Sequence, residues 1–257
     1  MKIVLYGAGY IGLTLLSHLT EHEVSIITKN HHKEHALFTH LSHEKNSEKE
    51  IADVIRSADS IICTVAPSDN NYRLYTETAA FLTKVNPNGY FIYTSSIGVY
   101  GDLEGELDET ANIEPKNDRT KLLFEAEQTF LQNDNSCVLR LGGIYGPHRS
   151  ILARIMERGV ITGSKSWPTN MVHRDDVIEA ILFALTHHLK GIYNLVDCEH
   201  VSREDLYTQI ADQRGIALPQ WDEALPIYHG GNRKISNQKL LHEGFRMHHP
   251  TKKIEDL

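Results

Sequence analysis

The segment KIVLYGAGYIG, at residues 2–12, decides the fold of this chain. Its first five residues are an apolar run typical of a strand. The glycine-rich turn after them leads into apolar residues at helical spacing, namely Ile11, Leu15, Leu16 and Leu19. A second apolar run follows at residues 24–28. Two strands joined by one helix predict a βαβ unit with parallel strands.

The glycines of GAGYIG stand where a dinucleotide-binding turn needs them. Gly7 permits a tight turn, Gly9 lets the backbone approach a pyrophosphate, and Gly12 allows the helix to pack closely on the strand. The helix start then offers the N–H groups of Tyr10 and Ile11 to the phosphates. A purely structural glycine turn is the alternative. The strand before the turn and the helix after it favour a dinucleotide cofactor.

Strands and helices alternate along the rest of the chain. Helices are predicted at 51–57, 72–84, 120–131 and 175–189, and strands at 61–65, 90–94, 137–141 and 191–196. Residues 36–41 fit either type, and we favour a strand. This alternation predicts an α/β fold with a doubly wound, mostly parallel Rossmann sheet. We assign residues 1–144 plus 173–197 to the dinucleotide-binding domain, and 145–172 plus 198–257 to a small C-terminal substrate lobe.

The composition of the chain narrows its partners and its location. A formal net charge of −8 would repel a nucleic-acid backbone, and no basic stripe offsets it. No apolar stretch is long enough to cross a bilayer, and no basic leader precedes the first strand. Three widely spaced cysteines, Cys63, Cys137 and Cys198, suit buried, reduced thiols. We therefore expect a cytoplasmic protein with no nucleic-acid or membrane partner.

The chain contains sixteen histidines, and several lie close together in sequence: His31, His32, His35, His40 and His43. Imidazole is a common ligand of transition metals. The segment holds no cysteine and no HExxH motif, so we interpret it as a solvated polar surface and predict no metal site.

The end of the second predicted strand bears on the choice between NAD and NADP. A carboxylate there would bond the ribose 2′-hydroxyl. The positions are instead Thr28, Lys29 and Asn30. One cation and no acid favour a 2′-phosphate, so we predict NADP, with NAD as the alternative. Lys29 could equally point into solvent.

The sequence resembles the extended and atypical short-chain dehydrogenases/reductases and, among these, the nucleoside-diphosphate-sugar epimerase-like branch. The likeness covers nearly the whole chain. It rests on the ordered strings GAGYIG at 7–12, YTSSIGVYG at 93–101, LDETANIEP at 107–115, RLGGIYGP at 140–147, MVHRDDV at 171–177 and RKISNQKLLHEGF at 233–245.

The resemblance implies roles for particular residues. Ser96, the second serine of YTSSIGVYG, would orient the substrate oxygen, although a serine after a strand is often only a turn residue. The segment Thr64, Val65 and Ala66 would lie along the nicotinamide half of the cofactor. Lys121 matches the lysine of the family's Tyr-x-x-x-Lys pair.

The sequence departs from the family at the tyrosine of that pair, which is Asn117 here. The family's lysine lowers the tyrosine pKa so that the phenol can exchange a proton near neutrality, whereas an amide has no proton to exchange in that range. Three substitutes stay open: Tyr100, His173 or the substrate itself. Lys121 would then mainly bind the ribose hydroxyls.

Two arginines, Arg149 and Arg233, match positions where related proteins place cations against a diphosphate. Guanidinium suits bidentate phosphate binding, yet each could equally form a surface ion pair. Asp176 is interpreted as the cap of the helix that begins there.

Two functions therefore stand. The first is an NAD(P)-dependent oxidoreductase or epimerase-like enzyme acting on a sugar nucleotide or similar carbonyl compound, in which Ser96, Lys121 and Asn117 mark the active site. The second is a non-catalytic NADP-binding redox sensor or regulatory protein, which Asn117 favours. The resemblance also implies a homodimer.

Overall fold

The structure is a computed structural model, and it describes residues 1–29, 38–66, 71–225, 231–253 and 257. The strands are β1 Lys2–Tyr6, β2 Glu23–Thr28, β3 Thr39–Ser42, β4 Ser60–Cys63, β5 Tyr90–Ser96, β6 Gly105–Leu107, β7 Ser136–Leu141, β8 Gly143–Tyr145, β9 Val160–Thr162, β10 Met171–His173, β11 Gly191–Leu195, β12 Gln220–Asp222 and β13 Arg233–Ile235. The α-helices are α1 Tyr10–Leu15, α2 Glu48–Arg56, α3 Arg73–Val85, α4 Asp118–Leu131, α5 Ile151–Arg158, α6 Arg174–His187, α7 Arg203–Arg214 and α8 Gln238–His242.

The central sheet has seven strands in the order β11-β7-β5-β4-β1-β2-β3, and helices flank it. The pairings of β1 with β2 and β4, of β2 with β3, and of β4 with β5 are all parallel. This mostly parallel, Rossmann-like α/β sheet confirms the predicted fold class. The strand favoured at 36–41 is confirmed as β3, which begins at Thr39, while residues 30–37 lie outside the described part of the chain.

The chain divides into two compact units. The first unit contains residues 1–96, 117–140 and 178–192, and the second contains 97–116, 141–177 and 193–257. In the first unit, buried side chains such as Val4, Ile61 and Phe91 form a core against which Phe130 of α4 packs. This burial is the main favourable contribution to the stability of the unit.

The second unit contains three parallel strand pairs, β8 with β10, β9 with β12 and β6 with β13. Its core gathers Tyr145, Ile151, Ile155, Leu206 and Ile210, so α5 and α7 bury their apolar faces together. Among the residues described, no helix combines the length and the apolarity that crossing a membrane requires.

Candidate functional site

The turn after β1 is held by the end of β4. The hydroxyl of Thr64 donates to the Gly7 carbonyl at 2.7 Å, and the Thr64 N–H donates to the Tyr6 carbonyl at 3.0 Å. Gly7 has a φ of +97°, and a Cβ there would lie 2.9 Å from Val65 Cγ2. A side chain at Gly7 would therefore be both strained and crowded.

Gly12 and Gly9 lack side chains for different reasons. A Cβ on Gly12 would lie 2.4 Å from the Gly7 carbonyl oxygen, so close packing of α1 on the turn requires glycine there. Gly9 has an ordinary φ of −87°, and a Cβ built on it meets no atom of the described residues within 4 Å. Neither backbone strain nor packing against the described part of the chain therefore explains Gly9, which leaves open space beside the turn.

The end of β2 presents one buried and one exposed side chain. Thr28 is buried, and its hydroxyl lies 3.0 Å from Nε2 of His40. Lys29 is exposed and follows the strand directly. Thr28 and Lys29 are the described residues that bear on the choice between NAD and NADP, and of these two only Lys29 is exposed to solvent. Asn30 lies outside the described residues.

Ser96 ends β5, whose neighbour β4 is followed by Thr64. Since parallel strands place their carboxyl ends at one edge, Ser96, Thr64 and Gly7 share the edge where ligands of open α/β sheets bind. Val65 is half-buried and Ala66 is exposed on the same segment. The first unit therefore brings the predicted residues Gly7, Thr64 and Ser96 to one edge of the sheet.

A buried ionic network beside Ser96 was missed from the sequence. The Glu127 carboxylate accepts bonds from Arg140 at 2.7 Å and from the Ser95 hydroxyl at 2.6 Å, with the Arg140 and Glu127 side chains 1% and 0% exposed. Arg140 opens the string RLGGIYGP, but no local pattern pairs it with a glutamate on α4. The network fixes the end of β5 against α4.

Asn117 and Lys121 lie at the start of α4. Asn117 is the N-cap of the helix, with extended backbone angles, and its side-chain oxygen accepts from the Thr120 N–H at 2.9 Å. Lys121 is exposed, with Nζ 3.9 Å from the Glu125 carboxylate. Asn117 therefore directly precedes the helix, and Lys121 lies in its first turn.

Among the substrate-side candidates of the second unit, Tyr100 is only 1% exposed. Its hydroxyl lies 2.8 Å from Oδ1 of Asn194 and 2.9 Å from the Asp108 carbonyl. The amide of Asn194 is oriented by a bond from Nδ2 to the Ser236 carbonyl at 3.0 Å. A swing of Tyr100 toward a substrate would break these bonds.

The two arginines differ in their surroundings. Arg149 is half-buried, and its Nε donates to the Ile144 carbonyl at 3.1 Å. Arg233 is 3% exposed, and its Nη1 donates to the carbonyls of Gly101 and Leu103. The surface ion pair weighed for Arg233 is therefore wrong, because the guanidinium is buried against backbone carbonyls.

His173 is buried at the end of β10, and its ring stacks on that of His249. The expectation that Asp176 caps a helix is wrong, because α6 begins earlier, at Arg174. The Asp176 carboxylate instead accepts the backbone N–H groups of His248 at 2.6 Å and His249 at 3.1 Å. Asp176 thus anchors the segment near the end of the chain.

An open concavity of about 650 Å³ lies in the second unit along residues 100–116. Four acids line it, Asp102, Glu106, Asp108 and Glu114, and Lys116 is the lining cation. Of the substrate-side candidates, only Tyr100 contributes to its wall. An acidic lining disfavours an anionic sugar nucleotide at this place.

Cys63 offers little nucleophilic chemistry. Cys63 and Cys137 are buried, and burial raises the pKa of the Cys63 thiol to about 12. A thiol with such a pKa is protonated near neutrality and is a poor nucleophile. Cys198 is exposed, contrary to the expectation of burial.

The fold and the glycine turn together define a class of dinucleotide-binding α/β protein. The model of the NAD dependent epimerase/dehydratase family matches residues 3–195. The chain belongs to this family.

Three known proteins illustrate the relationship. Protein YeeZ of Escherichia coli K12 is 29% identical over 212 residues, which are 77% of this chain and 74% of that protein. A Methylobacillus flagellatus structure assigned to the NAD-dependent epimerases/dehydratases is 28% identical, covers 97% of this chain and 94% of its own, and has a TM-score of 0.75. Human epimerase family protein SDR39U1, solved with NADPH, has a TM-score of 0.79 at 16% identity and covers 98% of this chain and 96% of its own.

Proposed function

We propose that this protein binds a nicotinamide dinucleotide, NADP in preference to NAD, at the turn formed by residues 7–12. The observation that supports this proposal is the open space where a side chain at Gly9 would lie. Since neither φ nor packing requires glycine there, room for a ligand is the remaining physical reason for the missing side chain. A pyrophosphate is the group that such a turn accommodates.

The residues around the turn fit the rest of such a cofactor. Gly9 accepts the first helical bond of α1, from the Leu13 N–H at 2.9 Å, so first-turn N–H groups face the turn. Exposed Lys29 suits a ribose 2′-phosphate and so favours NADP over NAD. Thr64, Val65 and Ala66 would flank the nicotinamide half. When bound, the cofactor would supply hydride-transfer chemistry.

The activity we propose is that of an oxidoreductase or epimerase-like enzyme acting on a sugar nucleotide or similar carbonyl compound. Ser96 would orient the substrate oxygen, and Lys121 would hold ribose hydroxyls through its exposed ammonium. The bonds that hold the Tyr100 hydroxyl argue against that residue as a proton donor. His173 or the substrate itself would then supply the proton. Arg149 would face an anionic group of the substrate.

A second candidate function is a redox sensor that holds NADP without turnover. Asn117 favours it, because an amide has no group that gains or loses a proton near neutrality and because this amide already caps α4. In the enzyme, the predicted domain 1–144 plus 173–197 would bind the dinucleotide, and the predicted lobe 145–172 plus 198–257 would contribute to substrate binding.

Thermal-shift measurements with NADPH and NADH test cofactor binding, because a ligand that binds only the folded state raises the melting temperature. We expect the larger rise with NADPH. No rise with either nucleotide would refute the proposal. A carbonyl-substrate panel then separates the two functions.

If the parent turns over a carbonyl substrate and Ser96→Ala does not, the result supports the proposed enzyme function. Unchanged turnover in Ser96→Ala contradicts the assignment of Ser96. Absence of turnover in the parent, together with its appearance in Asn117→Tyr, supports the sensor.

Two further expectations belong to this proposal. The buried thiols of Cys63 and Cys137 are consistent with a reducing, cytoplasmic location. A homodimer is implied by the family resemblance alone, and light scattering behind size-exclusion chromatography tests it.

A further inference from the structure

Three side chains with metal-ligating atoms converge in the second unit. His173, Asp175 and His249 each offer one ligand atom, and these atoms all lie within 4.8 Å of one another. Nδ1 of His173 is 3.8 Å from Oδ2 of Asp175. The rings of His173 and His249 stack with their centroids 3.7 Å apart and a tilt of 29°.

To hold one tetrahedral ion, these ligand atoms have to move closer together, and the two stacked rings have to turn so that a lone pair of each points at the same position. Bonds of about 2.0–2.1 Å in a tetrahedral arrangement place neighbouring ligand atoms about 3.4 Å apart. The Asp175 oxygen is already within about half an ångström of that spacing from His173. Because Asp175 is half exposed, a rotation of its side chain can close the remaining gap, and a cation can enter from solvent.

Neighbouring residues orient the ligands. Arg174 bonds Oδ1 of Asp175 through Nε at 3.0 Å, which leaves Oδ2 directed at His173. The Asp176 carboxylate holds the backbone N–H of His249, so the second imidazole is delivered by a fixed main chain. Such supporting hydrogen bonds are typical of metal sites, where they fix the ligand orientation.

The imidazole of His249 supplies an independent observation. Its Nδ1 is buried and has no hydrogen-bond partner among the described residues. A buried polar atom without a partner is destabilising unless water or an ion satisfies it. The Asp175 N–H donates to Nδ1 of His173 at 3.2 Å, an ordinary hydrogen-bond distance, so a metal bond at that nitrogen would have to replace this bond.

We propose that His173, Asp175 and His249 bind one divalent transition-metal ion, with zinc as the best match to two neutral imidazoles and one carboxylate. The fourth position would be left to water. By bonding His249, the ion would tie the segment near the end of the chain to β10 and the start of α6. This site does not depend on the proposed cofactor, but an ion bound to His173 would leave the substrate itself to supply the proton of the proposed reaction. Its three ligands lie more than 120 residues along the chain from the histidines at residues 31–43.

Zinc titration of the untagged, metal-free full-length protein by calorimetry tests the site. His249→Ala removes one ligand, and His248→Ala is a matched control, because His248 is the adjacent histidine and is exposed. We expect one tight zinc ion in the parent and in His248→Ala, and at least tenfold weaker binding in His249→Ala. Weak binding at other histidines should be equal in all three proteins.

A second variant guards against misfolding of His249→Ala. Asp175→Asn changes a half-exposed side chain, and it should also weaken zinc binding at least tenfold. It should abolish the rise in melting temperature that zinc gives the parent. Equal zinc affinity in the parent, His249→Ala and Asp175→Asn would overturn the proposal, as would a parent that binds no zinc more tightly than its scattered surface histidines do.

Discussion

The side-chain oxygen of Asn117 accepts a hydrogen bond from the backbone N–H of Thr120 at 2.9 Å, and the Thr120 hydroxyl lies 3.4 Å from the Asn117 N–H in return. This reciprocal pair is a capping box at the start of α4. The position that matches the tyrosine of related enzymes is therefore used here to begin a helix. Any test of catalysis at this position has to separate the two effects.

Loss of the cap should be measurable as lost stability. Asn117→Ala should lower the free energy of unfolding by about 1 kcal/mol, whereas Asn117→Asp and Asn117→Ser should stay near the parent because both side chains cap helices well. Urea denaturation gives the comparison. Equal stability of the alanine and serine variants would contradict a capping role.

The network of Glu127 and Arg140 predicts a larger effect. Glu127→Gln keeps the volume but leaves the buried guanidinium of Arg140 without a counter-charge, so unfolding should become easier by about 3–5 kcal/mol. Ser95→Ala, which removes one neutral donor from the same carboxylate, should cost only about 1 kcal/mol. Denaturant midpoints measure both variants, and a Glu127→Gln cost no larger than that of Ser95→Ala would refute the assignment.

Parts of the site that depend on local sequence could be predicted. The turn at residues 7–12 was readable because strand, glycines and helix follow one another directly, and the alternation of apolar runs indicated the sheet. The element bounds moved by only a few residues, as for α4, which begins at Asp118 instead of Thr120.

Features made by distant residues could not be predicted. Asp176 was misread as a cap because capping considers only the local backbone, while its partners, His248 and His249, come from the far end of the chain. The burial of Arg233 depends in the same way on carbonyls at residues 101 and 103. Polar sequence patterns do not reveal such long-range partners.

The exposed cation after β2 predicts a cofactor preference. Lys29→Ala should weaken NADPH binding about tenfold, the value of one hydrogen bond between charged groups, and leave NADH binding nearly unchanged. Lys45→Ala, at another exposed lysine, is the control and should affect neither nucleotide. Fluorescence titration with both nucleotides measures this. A similar loss for NADH would show that Lys29 does not read the 2′-phosphate.

The acid beside Lys252 predicts a pH dependence of stability. Burial raises the pKa of Asp197 to about 7 from 3.8, although the Lys252 ammonium 3.0 Å away acts in the opposite direction. The folded protein binds the Asp197 proton more tightly than the unfolded chain does. Protonated Asp197 therefore adds its full contribution to the free energy of unfolding below pH 4, and this contribution is lost as the pH rises through 7.

Asp197→Asn isolates that contribution. The stability of the parent relative to this variant should fall by up to about 4 kcal/mol between pH 4 and pH 7, as the shift in pKa implies. Chemical denaturation at a series of pH values provides the curve. A relative stability that is flat, or that rises with pH, would mean that Lys252 keeps Asp197 ionised.

Nucleotide binding by Gly9→Ala and Gly9→Val tests whether the open space at Gly9 receives the pyrophosphate of the cofactor. A Cβ at Gly9 meets no atom of the described residues within 4 Å, so Gly9→Ala should keep the parent's melting temperature, and the melting temperature of Gly9→Val is measured beside it. By contrast, Gly12→Ala, whose Cβ would lie 2.4 Å from the Gly7 carbonyl, should lose about 1–3 kcal/mol of stability. In NADPH titrations we predict that the Kd of Gly9→Val rises at least tenfold in a fully folded protein. An unchanged Kd in Gly9→Val would show that the pyrophosphate does not bind at the turn formed by residues 7–12.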